Sequence, residues 1–317
     1  MYGPKSVAPG KWNDLPDDGY EHNPLPRIVE LALASHGEII ARWDFDEPGG
    51  QTILDSSPHK LDGFLGSAPE ADPFDPLRIP GLDGSPGALR TAGKGYAQVP
   101  HSALLQPTGS LTVRALIRPS VDEQFGRVLC NLRYLGGGNR YSGYDLDLQR
   151  DHLRFAIFSE QGQENYIIAA FDFRPAIVYE VAGSWNQRGN LMHVFVDGIR
   201  ISVPGNVEGS WHTTIAQIGP NQGNLFIGAT SFGPSEFFQG DLDRVIVDTT
   251  PLIRAGDLNC DGAVNNFDID PFVLALTVPS RYVVLYPDCA WRLADVNGDG
   301  FVDNFDIDPF VELLTKP

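Results

Sequence analysis

Between residues 38 and 250 apolar side chains recur at every second position, in short runs broken by Gly, Pro, Asn or Ser. Leu111, Val113, Ala115 and Ile117 alternate with Thr112, Arg114 and Arg118. Tyr144, Leu146 and Leu148 alternate with Asp145 and Asp147, and Leu153, Phe155 and Ile157 with Arg154. Met192, Val194 and Val196 lead into an Asp197-Gly198 turn, and an opening run alternates Trp43, Phe45 and Glu47 with Asp44 and Asp46. Side chains along a strand point to opposite faces, so each run predicts a half-buried antiparallel strand. No helical stripe longer than two turns interrupts them. Some 34 Gly and 25 Pro supply the turns that many short strands require. About a dozen strands in this length predict an all-β fold, a two-sheet antiparallel jelly-roll sandwich spanning 38–251.

At Pro251 the pattern changes. Residues 255–317 hold ten Asp and one Glu against three Lys and Arg, a net of −8 within a chain of net −18. Inside this segment Asn-Phe-Asp-Ile-Asp-Pro-Phe-Val occurs at 266–273 and again at 304–311. Each copy closes a twelve-residue loop, 257–268 and 295–306. At positions 1, 3, 5, 9 and 12 the first loop carries Asp257, Asn259, Asp261, Asn265 and Asp268, and the second Asp295, Asn297, Asp299, Asp303 and Asp306. Gly262 and Gly300 occupy position 6, and Ala263 and Phe301 offer backbone carbonyls at position 7. Ca²⁺ takes six to eight oxygen ligands from a loop that turns sharply at such a Gly, so the spacing predicts two calcium loops, with Asp in place of the usual final Glu. The second loop brings one carboxylate more than the first, Asp303 for Asn265, and is expected to bind more tightly.

Behind each loop an apolar stripe follows: Ile269, Phe272, Val273 and Leu276, then Ile307, Phe310, Val311 and Leu314. That spacing marks one face of a helix. Pro271 and Pro309 suit a first helical position, which makes Asp270 and Asp308 the expected N-caps. The segment therefore reads as a small C-terminal α domain, 255–317, of two loop-helix repeats without the entering helix of a full EF-hand. Cys260 at loop position 4 and Cys289 ahead of the second loop are either two free buried thiols or a disulfide tying the repeats together. Cys130, inside a strand, reads as core.

This duplicated half-hand resembles a type I dockerin. The resemblance implies calcium at the ten side-chain positions above and docking onto a cohesin-like or cell-surface protein. Loop positions 10 and 11, which in that family contact the partner and often hold Ser or Thr, are here Asn266-Phe267 and Asn304-Phe305.

The stretches ARWDFDEPGGQTILDSS (41–57), GALRTAGKGYAQVPHSALLQPTGSLTVRALIRP (87–119), HVFVDG (193–198) and FFQGDLDRVIV (237–247) resemble a LamG-like jelly roll of the concanavalin A-like lectin/glucanase group. The resemblance implies a structural Ca²⁺ held by Asp243, with Asp46 or Asp55. Retaining glycosidases place two carboxyls about 5–5.5 Å apart. The nearest approach to such a pair is Asp145 and Asp147, and strands with one wet face carry such pairs routinely. No catalytic residue is assigned. Sugar binding needs exposed aromatics; Tyr141, Tyr144 and Trp185 are the candidates, with Tyr166 and Trp211 behind them.

The acidity argues against a nucleic-acid partner, and no apolar run approaches the ~20 residues of a membrane helix. The first 37 residues read as a flexible tail without a signal peptide at Met1, although both resemblances imply an extracellular or cell-surface location. Two functions follow from the residues: a non-catalytic carbohydrate-binding or adhesion module, partnered by a carbohydrate or extracellular glycoprotein, or a carbohydrate-active enzyme of the same fold acting in polysaccharide breakdown.

Overall fold

The computed structural model describes residues 38–317 apart from 108, 123, 139, 188–189, 202–206, 210–212, 232, 234, 253–254, 261–263, 287–288, 290, 298–299 and 316–317. The expected tail, 1–37, lies outside the described residues, as do Trp211, Asp261, Gly262, Ala263 and Asp299.

Seventeen strands are described. In chain order they are β1 (Ile39–Trp43), β2 (Thr52–Ile53), β3 (Gly63–Leu65), β4 (Leu77–Ile79), β5 (Ala88–Arg90), β6 (Ala97–Val99), β7 (Leu111–Pro119), β8 (Gln124–Tyr134), β9 (Tyr141–Arg150), β10 (His152–Phe158), β11 (Glu164–Ala170), β12 (Tyr179–Asn186), β13 (Leu191–Val196), β14 (Ile199–Arg200), β15 (Val207–Gly209), β16 (Leu225–Ile227) and β17 (Gly240–Asp248). They form two antiparallel sheets. One runs β14-β13-β12-β7-β17-β5-β4, with β1 also paired to β17; the other runs β15-β11-β10-β9-β8-β16-β6-β3-β2. β17 serves two neighbours on one edge. Its first half pairs β5, and its second half, beyond an irregularity between Asp243 and Ile246, pairs β1.

The inward side chains of both sheets make one apolar core that includes Trp43, Leu146, Phe155, Val181, Trp185 and Val247. Packing between the sheets is close enough to dictate residue size. A Cβ on Gly183 of β12 would lie 2.3 Å from the Phe155 ring of β10, so glycine is what lets that ring sit against the opposite sheet. The first predicted strand is shorter than its alternation suggested. β1 ends at Trp43, and Phe45 has φ 59, because the chain turns there to bury Phe45 and leads into the Asp55 turn. Asp55 organises that turn, accepting from the backbone N–H groups of Arg42, Ser57 and Leu61 at 2.7–2.9 Å.

The C-terminal region is helical: α1 (Ile269–Thr277), α2 (Pro279–Leu285) and α3 (Ile307–Thr315). It has its own small core around Leu258, Phe272, Tyr282, Leu293 and Phe310. The two repeats meet at Phe272 and Phe310, whose rings stack 4.0 Å apart at 8°. Cys260 and Cys289 form a disulfide, with Cα atoms 5.8 Å apart. Asn186 at the end of β12 donates to the Cys260 carbonyl at 3.2 Å, joining this region to the sandwich.

The helix caps differ from expectation. α1 and α3 begin at Ile269 and Ile307, each preceded by a short 3-10 turn, so Pro271 and Pro309 are the third helical residues. The proline is tolerated because N–H groups of a first turn have no partner four residues back. The capping side chains are Asn265 and Asp303, one turn earlier than Asp270 and Asp308. Each sits in a reciprocal box with Asp268 or Asp306, which satisfies two donors at once. α2 had no sequence signal beyond Pro279 at its start.

Candidate functional site

β9 decides what each of its side chains can do. Even-numbered positions point into the core, odd-numbered ones to the outer face of the nine-stranded sheet. Tyr144 is therefore 0% exposed, its hydroxyl donating to the Leu105 carbonyl at 2.9 Å. Trp185, on β12, is likewise 0% exposed and donates to Thr213 at 3.2 Å. Neither can stack on a sugar, and both expectations are corrected: strand alternation directed these rings inward. Tyr141 lies on the outer face, half-buried, packed against Tyr134 (centroids 5.7 Å) and edge-on to Phe158.

Across that face the register lines up Tyr166, Ala156, Asp145, Cys130, Phe226 and Gln98 on five neighbouring strands and β6. One row along, Arg154 pairs with Asp147, and Asp147 with Arg127. Asp145 and Asp147 are 1% and 2% exposed. Arg127 Nη1 donates to both, to Asp147 at 2.7 Å. Arg154 Nη1 donates to Asp145 at 3.0 Å and to Asp147 at 2.9 Å. The outer nitrogens of the same guanidiniums reach Glu236 and Glu164, whose side chains are 50% and 41% exposed. Arg154 also lies over the Tyr166 ring, 5.3 Å from its centroid. Buried charges persist where they are paired and hydrogen-bonded, and here each carboxylate is gripped by two arginines.

Burial pushes the Asp145 carboxyl up, to about 6, against the pull of Arg127 and Arg154. Both guanidiniums are held charged: burial works against them, and the carboxylates of Asp145 and Asp147 outweigh it. Burial, then Asp145, pushes the Cys130 thiol up to about 11, which makes it inert as a nucleophile. Sequence alone gave no notice of Arg127, Glu164 and Glu236. Their assembly depends on cross-strand register, and the usable signal was Arg154 standing between Leu153 and Phe155 as an outward residue of β10.

The two C-terminal loops are wired alike. Asp268 Oδ1 accepts from Leu258 N (2.7 Å) and Asn259 N (3.0 Å), and its Oδ2 from Asn265 N (2.8 Å). Asp306 repeats this with Val296 N (2.7 Å), Asn297 N (3.1 Å) and Asp303 N (2.9 Å). Position 12 thus sits inside each loop, tied to positions 2, 3 and 9. In the second loop Asp295 accepts from Gly300 N at 2.9 Å, closing position 1 onto position 6. Asp257, Asp268, Asp295 and Asp306 are all buried. The side chains at positions 1 and 12 are buried carboxylates, hard oxygen donors of the kind Ca²⁺ takes, and in that chemical sense the residues present suit that ion. Among the described residues no group of three or more His, Cys, Asp or Glu is placed to hold a metal; the position-5 carboxylates, Asp261 and Asp299, lie outside them. Phe267 and Phe305, at loop position 11, are 77% and 75% exposed.

Asp243 is buried, its Oδ2 accepting from Leu82 N at 2.9 Å and from the Ser85 hydroxyl at 3.1 Å. Asp46 accepts from Gly87 N at 2.9 Å. Asp243 and Asp46 thus both accept from the 82–87 segment, while Asp55 accepts from its own turn and from Arg42.

A family model described as the concanavalin A-like lectin/glucanases superfamily matches residues 91–253. No curated protein matches the chain. Among solved structures, the binding domain of a Paraclostridial mosquitocidal protein is similar at 13% identity and TM-score 0.49, over 68% of this chain and 49% of that one. The binding domain of botulinum neurotoxin serotype G shows 9% identity and TM-score 0.49, over 68% and 48%. Domain 4 of a GH43 extracellular arabinanase from Geobacillus stearothermophilus, solved with arabinotriose, shows 12% identity and TM-score 0.48, over 68% and 94%. The chain spans about half the length of the two toxin domains. No described helix is long and apolar enough to cross a membrane.

Proposed function

The chain belongs to the concanavalin A-like lectin/glucanases superfamily, and from that premise we propose that its sandwich is a non-catalytic, extracellular carbohydrate-binding module. The outer face of the nine-stranded sheet is the binding surface. One observation carries the choice of binding over turnover: Asp145 and Asp147, the pair a glycosidase reading needs, are both clamped by Arg127 and Arg154 beneath the surface. A general acid or nucleophile has to reach the scissile bond, and these do not. What the face does present is Tyr141 beside Tyr134, Tyr166 under Arg154, and the outer carboxylates Glu164 and Glu236. Aromatic planes flanked by hydrogen-bonding groups suit neutral sugar rings.

In the second part of the proposal, residues 255–317 take up two Ca²⁺ ions and dock the module onto a cohesin-like or cell-surface protein. Asp257, Asn259, Asn265 and Asp268 would hold one ion, and Asp295, Asn297, Asp303 and Asp306 the other, with the position-5 aspartates and the position-7 carbonyls of Ala263 and Phe301. The ion supplies the positive charge against which these buried carboxylates pack. The Cys260–Cys289 disulfide supports an oxidising, extracellular setting.

The test is a glycan array and a parallel hydrolase and lyase screen on the full chain. Binding without turnover is expected, weakened up to roughly tenfold by Tyr141→Ala, the value of one aromatic contact. Turnover that disappears in Asp147→Asn would overturn the non-catalytic assignment.

A further inference from the structure

A guanidinium is the side chain best shaped to grip a sugar carboxylate or sulfate, because its planar fork meets two oxygens at once. On the outer face of the nine-stranded sheet Arg127 and Arg154 are each engaged from two sides. Arg127 Nη1 donates inward to Asp145 and Asp147, while its Nε and Nη2 reach Glu236 Oε2 at 2.8 and 2.7 Å. Arg154 Nη1 donates inward to the same two aspartates, and its Nη2 donates to Glu164. The arginine side chains are largely buried and the glutamates half exposed. A ligand arriving on this face therefore meets carboxylate before guanidinium.

Both glutamates are fixed beside the aromatic rings. The Glu236 carbonyl accepts from Arg127 N at 3.0 Å, and its φ of 46 is uncommon for a residue with a side chain. Its charge acts on the Tyr141 hydroxyl, whose pKa is raised by burial first, then by Tyr134 and Glu236, against Arg127. Glu164 opens β11 opposite Phe158, two residues from Tyr166 on the same face. The cluster sets four carboxylates, Asp145, Asp147, Glu164 and Glu236, against two guanidiniums. Other charges flank β9 at its ends. Arg140 donates to the Gln161 carbonyl at 2.8 Å, Arg150 lies over the Phe125 ring at 5.6 Å, and His152 pairs with Asp151 at 2.7 Å.

We propose that Glu164 and Glu236 set the charge class of the ligand: they cover the outward edges of Arg154 and Arg127, so the face takes uncharged sugar residues and turns away uronates and sulfated sugars. This rests on the reading that the outer face binds sugar, and it names which kind. Like charges brought together at an interface weaken binding by roughly tenfold or more. With glutamine at both positions the negative excess is gone, and a sugar carboxylate can displace a neutral amide from each guanidinium.

Calorimetric titration of the full chain reads the preference. The probes are neutral pentose and hexose oligosaccharides, set against oligogalacturonate and sulfated oligosaccharides of the same length. Wild type is expected to favour the neutral set, and the double variant Glu164→Gln, Glu236→Gln to shift the ratio about tenfold toward oligogalacturonate. A ratio unmoved by the double variant overturns the proposal, since two charges are a small part of a chain of net −18. Salt gives a second readout on wild type alone: affinity for oligogalacturonate should rise as repulsion is screened, while neutral binding stays level. Oligogalacturonate bound as tightly as any neutral probe, with affinity falling in salt, overturns the charge assignment and leaves sugar binding standing. Binding of neither set overturns both.

Discussion

The sandwich and the C-terminal repeats solve the same problem with different means. The sandwich gathers 39 described residues into one buried apolar cluster between its sheets. The repeats gather nine, two of them the half-cystines of a disulfide. Apolar burial scales with chain length, and a segment of about 60 residues has too little interior to hold itself by that alone. It substitutes a covalent tie, two rings stacked across the repeat, and buried carboxylates arranged around loops. The difference teaches where each region is vulnerable: the sandwich to cavities, the repeats to reduction and, on the proposal that they take up Ca²⁺, to chelation.

The sharpest way to break the comparison is to damage the larger core. Phe155→Ala opens a cavity beside Gly183 and should cost about 3–5 kcal/mol. Its expected signature is a fall in the sandwich's unfolding transition, with the C-terminal transition unmoved when followed by the Trp291 environment. A common fall of both would mean that the two regions unfold as one. Next, Cys289→Ser removes a tie closing 29 residues, worth about 3–4 kcal/mol in the chain-entropy model. Chemical denaturation should show the loss confined to 255–317; a sandwich destabilised to the same degree would refute the division.

Somewhat smaller is the effect of pH on the outer face. Asp145 titrates near 6 in the folded chain, above the ordinary carboxylate value. The stability it contributes is full below about pH 4 and lost as pH rises through 6, roughly 3 kcal/mol across that window at the buried limit. Arg127, Cys130, Asp147, Arg154 and Glu164 all face it, so the midpoint belongs to the cluster. A carbon-detected NMR titration of the Asp145 carboxyl should centre near 6; a midpoint at or below 4 would show the arginines winning over burial.

The sequence carried the period-two runs because a half-buried strand writes its environment into every second residue. Leu146, Leu148, Phe155 and Val194 fell where alternation placed them. That same rule, applied to Tyr144, puts its ring inward with Leu146, so the sugar-binding assignment conflicted with its own pattern. The helices behind each repeated loop were legible because the stripe that marks them, Ile269 to Leu276 and Ile307 to Leu314, is local. The Arg127–Asp145–Asp147–Arg154 cluster was not, since it is made by register between β8, β9 and β10, which no single run encodes. The caps at Asn265 and Asp303 were missed for a related reason: a loop's ninth residue serves both the loop and the helix that follows.

On the proposed function, cations hold the repeats together while the sandwich is held chiefly by its core. Differential scanning calorimetry of the full chain, in millimolar calcium and then in EDTA, measures this directly. Two transitions are expected in calcium, and the chelator should abolish the one from 255–317 while moving the sandwich transition by no more than a few degrees. A C-terminal transition unaffected by EDTA would contradict it.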